Sequence, residues 1–196
     1  MKNKCKIFIY SFLTFLFISC ASKPGFNGEG DLCGLVIDEN NRPVADFVVY
    51  SSNKDNPNQK TSALTNSSGL FVFQNTKAGT YYISGEKKNY TRLEKTEYQF
   101  YQRSNIICFQ VTSFKGAIQS VDELLLRKES VIAENLLNSI VCEEKSEAEA
   151  LVNSYLFFLS QDSNLKSKIL EKLKKVNGLH FNYFSEYSAL LKEGAK

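Results

Sequence analysis

The sequence has no tryptophan, one histidine, one methionine and three prolines among its 196 residues. Around that single imidazole, His180, no Cys or carboxylate stands at zinc-ligand spacing, and no His-x-x-Glu pair occurs, so no metal site is expected. No glycine-rich motif that would cradle a phosphate is present, nothing marks a nucleophile with its base, and no cofactor is implied. Acidic residues are absent ahead of Gly28, while Lys2, Lys4 and Lys6 open the chain. The formal charge of +3 has its source there, because without those three lysines basic and acidic side chains are equal in number. Such a balance argues against a nucleic-acid partner, since that binding draws most of its affinity from phosphate neutralisation. What remains is the composition of a folded globular protein, with 43% hydrophobic and 23% charged residues.

The basic start leads into an uncharged apolar run, Ile7–Ile18. Twelve residues are too few to span a bilayer, which takes roughly 20. The pattern is that of a secretory signal. Phe17-Ile18-Ser19-Cys20 follows, and it resembles the lipobox of bacterial lipoproteins, with Phe17 in place of the usual Leu. The resemblance implies cleavage before Cys20 and acylation of its thiol, so residues 1–19 read as signal and 20–30 as a polar tether. Acyl chains contribute about 0.8 kcal/mol per buried methylene, and two chains anchor stably where one does not. The expected location is the bacterial cell envelope, lipid-anchored to a membrane (the outer membrane first) and facing the periplasm or the cell surface. An ordinary secretory signal cut near Ala21 is the plainer alternative.

Residues 31–113 carry short β-branched and aromatic runs separated by turn residues, the pattern of a β-sandwich. The runs are Leu32–Asp38, Val44–Tyr50, Ala63–Thr65, Leu70–Phe73, Gly79–Ser84, Gln99–Tyr101 and Ile106–Val111. The turn Asn66-Ser67-Ser68-Gly69 reads as a hairpin connection.

The ordered set Gly34-x-Val36-x-Asp38, Arg42-Pro43-Val44, Thr65-Asn66-x-x-Gly69-x-Phe71 and Gly79-x-Tyr81-x-Ile83 resembles the carboxypeptidase regulatory-like domain. The resemblance covers residues 31–91 best and implies a seven-stranded transthyretin-like (prealbumin) fold in a non-catalytic module. Val36, Phe71 and Tyr81 would point inward at period two. Asp46 and Asn89 stand where the family often has Gly, and Asn66 replaces a frequent Asp.

From 116 to 196 the composition shifts to Leu, Glu, Lys, Ser and Ala without proline, and the fold class is α+β with this helical region packed on the sandwich. Val121, Leu124, Leu125, Ile132, Leu136 and Ile140 form a helical stripe interrupted near Lys128-Glu129. Ser146-x-x-Glu149 is a capping box ahead of Leu151–Leu159. Leu165, Ile169, Leu170, Leu173 and Val176 mark a third helix, stopped by Asn177-Gly178, and Tyr183, Tyr187, Leu190 and Leu191 a fourth. The cluster Glu143, Glu144, Glu147 and Glu149 reads as a solvated helix start, and the lysines at 166–175 as a solvated helix face.

If Leu32, Gly34 and Val36 face the core, then Cys33, Leu35 and Ile37 face out, and Ile106 and Cys108 likewise on the last strand. An apolar outer face is expected to be covered, here by the helices. First and last strands are neighbours in the related fold, which leaves a Cys33–Cys108 disulfide open as one outcome. Cys142 would then remain unpaired. The polar loop 51–60, with Asn53, Lys54, Asp55, Asn56 and Asn58, is the recognition candidate. The expected function is a non-enzymatic binding or scaffold module for an envelope protein. A carbohydrate- or surface-binding module is the second reading, and a hydrolase with an unrecognised site the third.

Overall fold

The computed structural model describes residues 28–101 and 105–173. The signal segment, Cys20, His180 and the helix expected around Tyr183–Leu191 lie outside the described residues. Seven strands come first: β1 (Glu29–Ile37), β2 (Val48–Asn53), β3 (Lys60–Leu64), β4 (Leu70–Lys77), β5 (Gly79–Glu86), β6 (Leu93–Phe100) and β7 (Ile106–Gln110). Four helices follow: α1 (Phe114–Leu126), α2 (Ser130–Ser139), α3 (Glu147–Leu159) and α4 (Ser163–Leu173). The class is α+β. One sheet has the order β4-β1-β7, the other β3-β2-β5-β6. β1 is central in its sheet, antiparallel to β4 and parallel to β7.

The alternation read from the sequence sets the layers. Leu32, Gly34 and Val36 are buried on β1, as are Phe71 and Phe73 on β4, Tyr81 and Ile83 on β5, and Phe109 on β7. Phe47, Phe71 and Phe100 are the largest fully buried side chains. The Phe71 ring stacks on Phe109 at 6.3 Å and meets Phe73 edge-on at 5.6 Å. Gly34 has no Cβ because the Phe71 ring occupies that space. Thr65 is buried and fully used: its hydroxyl accepts from the Phe47 N–H at 2.8 Å and donates to the Val44 carbonyl at 2.6 Å.

Three strand details differ from expectation. β2 begins at Val48, because Asp46 turns the chain at φ 51°. The Asn66–Gly69 turn is a corner rather than a hairpin, since β3 and β4 belong to different sheets. Its geometry is local: Asn66 Oδ1 accepts from the Ser68 and Leu70 N–H groups, and Gly69 takes φ 73°. β6 runs from Leu93, well before Gln99, its start hidden in the polar run Glu94-Lys95-Thr96-Glu97. Asp46 and Asn89 both adopt left-handed backbone, φ 51° and 64°. Asp and Asn are the residues that tolerate it best after glycine.

The helices pack in succession, α1 on α2, α2 on α3 and α3 on α4. Lys128 breaks the first pair at φ 64°. The inner face of α2 is Ala133 and Leu137; Ile132, expected in the stripe, is exposed, one position out of phase. Ser146 caps α3, its hydroxyl accepting from the Glu149 N–H at 3.1 Å. The Glu149 carboxylate reaches back to the Lys145 N–H at 2.7 Å, one residue before the expected position.

The described helices are not packed on the outer face of β1 and β7, where the sequence placed them. They join the end of the sandwich through the β5–β6 connection. The Asn89 N–H donates to the Val141 carbonyl at 2.8 Å, the Val141 N–H to the Tyr90 carbonyl at 2.9 Å, and the Arg92 N–H to the Ser139 carbonyl at 2.7 Å. Glu39 clamps the helix start, accepting from the Ser113 N–H at 2.8 Å and the Ser113 hydroxyl at 2.6 Å. That hydroxyl in turn accepts from the Gly116 N–H and caps α1. Partial burial pushes the Glu39 carboxyl up, but the Ser113 bonds outweigh it and hold the group below its ordinary value.

Candidate functional site

With the helices at the end of the sandwich, the outer face of β4-β1-β7 is uncovered among the described residues. Register places its side chains in rows. Val72, Cys33 and Ile106 stand side by side across the three strands, and Leu70, Leu35 and Cys108 form the next row. Ile106 is 64% exposed, Val72 43% and Leu70 39%, with the half-buried Cys33 and Leu35 of β1 between the two outer strands. Contiguous apolar surface of this kind marks interaction sites in soluble proteins.

The face runs to an open strand edge. No described strand pairs with the outer side of β7. The edges at β6 and β3 carry charge, with Glu94, Lys95 and Glu97 on one and Lys60 on the other. Charged side chains are the usual guard against strand addition. β7, Ile-Ile-Cys-Phe-Gln, has none.

Cys33 and Cys108 share this face, but their thiols are free, as is that of Cys142. Cys33 stands opposite Ile106 and Cys108 opposite Leu35. That offset of two residues sets the pair on a diagonal of about 7–8 Å, beyond the roughly 4.4–6.8 Å a disulfide bridges. Burial, then the Glu149 charge, pushes the Cys142 thiol up.

The loop after β2 is anchored rather than loose. The Lys54 N–H donates to the Thr80 carbonyl at 2.9 Å, and its ammonium pairs with Glu97 at 2.8 Å, which raises the lysine above its ordinary value. Asn53 Oδ1 accepts from the Asp55 N–H at 2.8 Å, and Asn56 donates to the Asn53 carbonyl at 3.2 Å. The loop is shorter than the expected 51–60, because β2 continues through Asn53 and β3 begins at Lys60. Of the five residues picked from sequence, Asn53 is thus a strand residue, and Asn58 lines a shallow cavity of about 520 Å³ on the outer face of β3-β2-β5-β6. Asn53 lines a second one, of about 500 Å³, between β3 and β4. Lys54, Asp55 and Asn56 line neither. The first cavity is floored by sheet residues that sequence reasoning did not single out: Tyr50, Ser52, Tyr82 and Ser84, with Lys60 and Lys95 at its sides. Their outward alternation on β2 and β5 was the available signal.

No group of three or more His, Cys, Asp or Glu that could hold a metal occurs among the described residues. No helix among them is long and apolar enough to cross a membrane.

No protein-family model matches the sequence, and no curated protein aligns with it significantly. Among solved structures, the Bacillus anthracis TIE protein is similar at TM-score 0.38 and 15% identity, over 44% of this chain and 17% of that one. The major pilin SpaD of Corynebacterium diphtheriae is similar at TM-score 0.40 and 12% identity, over 45% and 31%. The minor pilin GBS52 of Streptococcus agalactiae is similar at 0.38 and 14%, over 45% and 46%. The chain thus spans less than half the length of each of these proteins.

Proposed function

We propose that the protein is a non-enzymatic lipoprotein of the bacterial cell envelope, anchored through an acylated Cys20, whose sandwich binds a protein partner across the outer face of β4-β1-β7. The sandwich is read as a transthyretin-like, carboxypeptidase regulatory-like domain. The strand order, with β1 parallel to β7, and the left-handed Asp46 and Asn89 support that reading. The observation that carries the functional reading is the continuity of the uncovered apolar rows with the uncharged β7 edge. A partner supplying an extended segment would gain ladder hydrogen bonds at the edge and bury Ile106 and Val72.

The test is in-cell crosslinking followed by pull-down, comparing wild type with an Ile106→Lys, Val72→Lys double variant. Both sites are exposed, so the variant is expected to fold normally. A partner captured by wild type and reduced at least about tenfold in the variant supports the reading; an unchanged partner set overturns it. Mass spectrometry of the mature N-terminus tests the anchor: a diacylated Cys20 is expected, and an unmodified Cys20 or a start elsewhere refutes it.

A further inference from the structure

The opposite face of the sandwich has a different chemistry. In the outer surface of β3-β2-β5-β6, Ser52 stands opposite Tyr82 and Tyr50 opposite Ser84, so two rings and two hydroxyls alternate across two strands. Asn58 closes one end of the cavity from the loop, and Lys60 and Lys95 flank it. The charges around it are not balanced. Glu86, which accepts from the Tyr50 hydroxyl at 3.4 Å, is paired with Arg92 at 3.7 Å. Glu97 is paired with Lys54. Lys60 and Lys95 have no carboxylate partner among the described residues. Lys95 is nonetheless held in place: its ammonium lies 3.9 Å from the centroid of the Tyr82 ring.

We infer that this cavity binds an acidic saccharide, a hydroxylated ring that carries an anionic group. The cavity is shallow and mixed in polarity, which suits a hydroxylated ring better than an enclosed apolar ligand. Tyr50 offers a ring face for the apolar side of a sugar, while Ser52, Ser84 and Asn58 answer its hydroxyls. The Lys95 ammonium, already fixed over Tyr82, loses little freedom on meeting that anionic group, and Lys60 adds a second charge. The two ammonium groups call for one anionic group on the ring, which a uronate carboxylate supplies in the test below.

The experiment titrates the folded protein with three probes, reading backbone and side-chain NMR shifts: an oligogalacturonate, its methyl ester and a polyaspartate of equal charge. Oligogalacturonate is expected to shift Tyr50, Tyr82, Ser84 and Lys95 resonances. Methyl esterification, Lys95→Gln and Tyr50→Ala are each expected to weaken binding about tenfold. Lys115→Gln, on the exposed side of α1, is expected to leave it unchanged. The inference is overturned if polyaspartate binds as well, if the methyl ester binds equally, or if the shifts fall away from this cavity. It is also overturned if no shift appears at millimolar saccharide.

Discussion

The sandwich and the helical region fill their interiors differently. Between the sheets, Phe47, Phe71 and Phe100 are wholly buried, and the Phe71 ring lies over the bare backbone of Gly34 on β1, between Phe73 of its own strand and Phe109 of β7. Between α1 and α2 the buried residues are Ala117, Val121, Ala133 and Leu137. Rings give the sandwich a large apolar core of its own. Small side chains let the helices approach closely but bury less, and the helices are further held by backbone bonds to the 89–92 segment and by Glu39. The lesson is one of dependence: the helices need the sandwich more than the sandwich needs them.

The largest test of that asymmetry is Phe71→Ala. A loss of about 4 kcal/mol is expected, with amide exchange accelerating in both regions, because the loop that holds the helices goes with the sheets. Helices that stayed protected would break the comparison. Leu137→Ala is expected to cost about 3 kcal/mol and to expose amides of α1 and α2 while those of β1 and β5 keep their protection. A global loss there would mean that the two regions fold as one unit.

Glu39→Gln sharpens the comparison at the joint. A loss of about 1–2 kcal/mol confined to α1 is expected, read by exchange of the Ser113–Ala117 amides. The folded Glu39 carboxyl is held below its ordinary value, so its contribution is present above that ordinary value and is lost as pH falls through the lowered one.

The smallest effect lies within the helices. Tyr155 donates to Asp122 at 2.7 Å, and burial first, then that hydrogen bond and the Asp122 charge, push its phenol up to about 12. A raised phenol stabilises the fold fully below its ordinary value of 10 and loses that contribution as pH climbs toward about 12. The helical region of the wild type is therefore expected to lose stability more steeply across that window than Tyr155→Phe. Parallel curves from denaturant unfolding at each pH would refute it.

Much of this was legible in the chain. Period-two alternation gave the inward set Leu32, Val36, Phe71 and Tyr81, and Ser146 announced its helix. What was illegible depended on distant partners. Glu94-Lys95-Thr96-Glu97 reads as loop until its pairing with β5 is seen, because an edge strand is charged for reasons of solubility rather than packing. The Asn66–Gly69 turn has hairpin chemistry, yet it connects two sheets, a matter of global topology. The docking of the helices was misread because their contact is made by backbone groups of residues 89–92 and 139–141, which leave no mark in side-chain patterning. The tyrosine-floored cavity was legible only in part: alternation turns Tyr50 and Tyr82 outward, but they are far apart in sequence and meet each other and Lys95 only through register.

The central position of β1 has a mechanical consequence. A pull on the chain at Gly28 enters the fold along β1, which is laced to β4 on one side and to β7 on the other. The strand cannot peel away one bond at a time; both ladders must shear together. Such an arrangement bears load well, and tension would pass from β1 directly into the uncovered face while the helices hang outside the line of force. Stretching single molecules from residue 28 should therefore give one high-force rupture for the sandwich, with the helices still folded until it occurs when the pull is taken between residues 28 and 110.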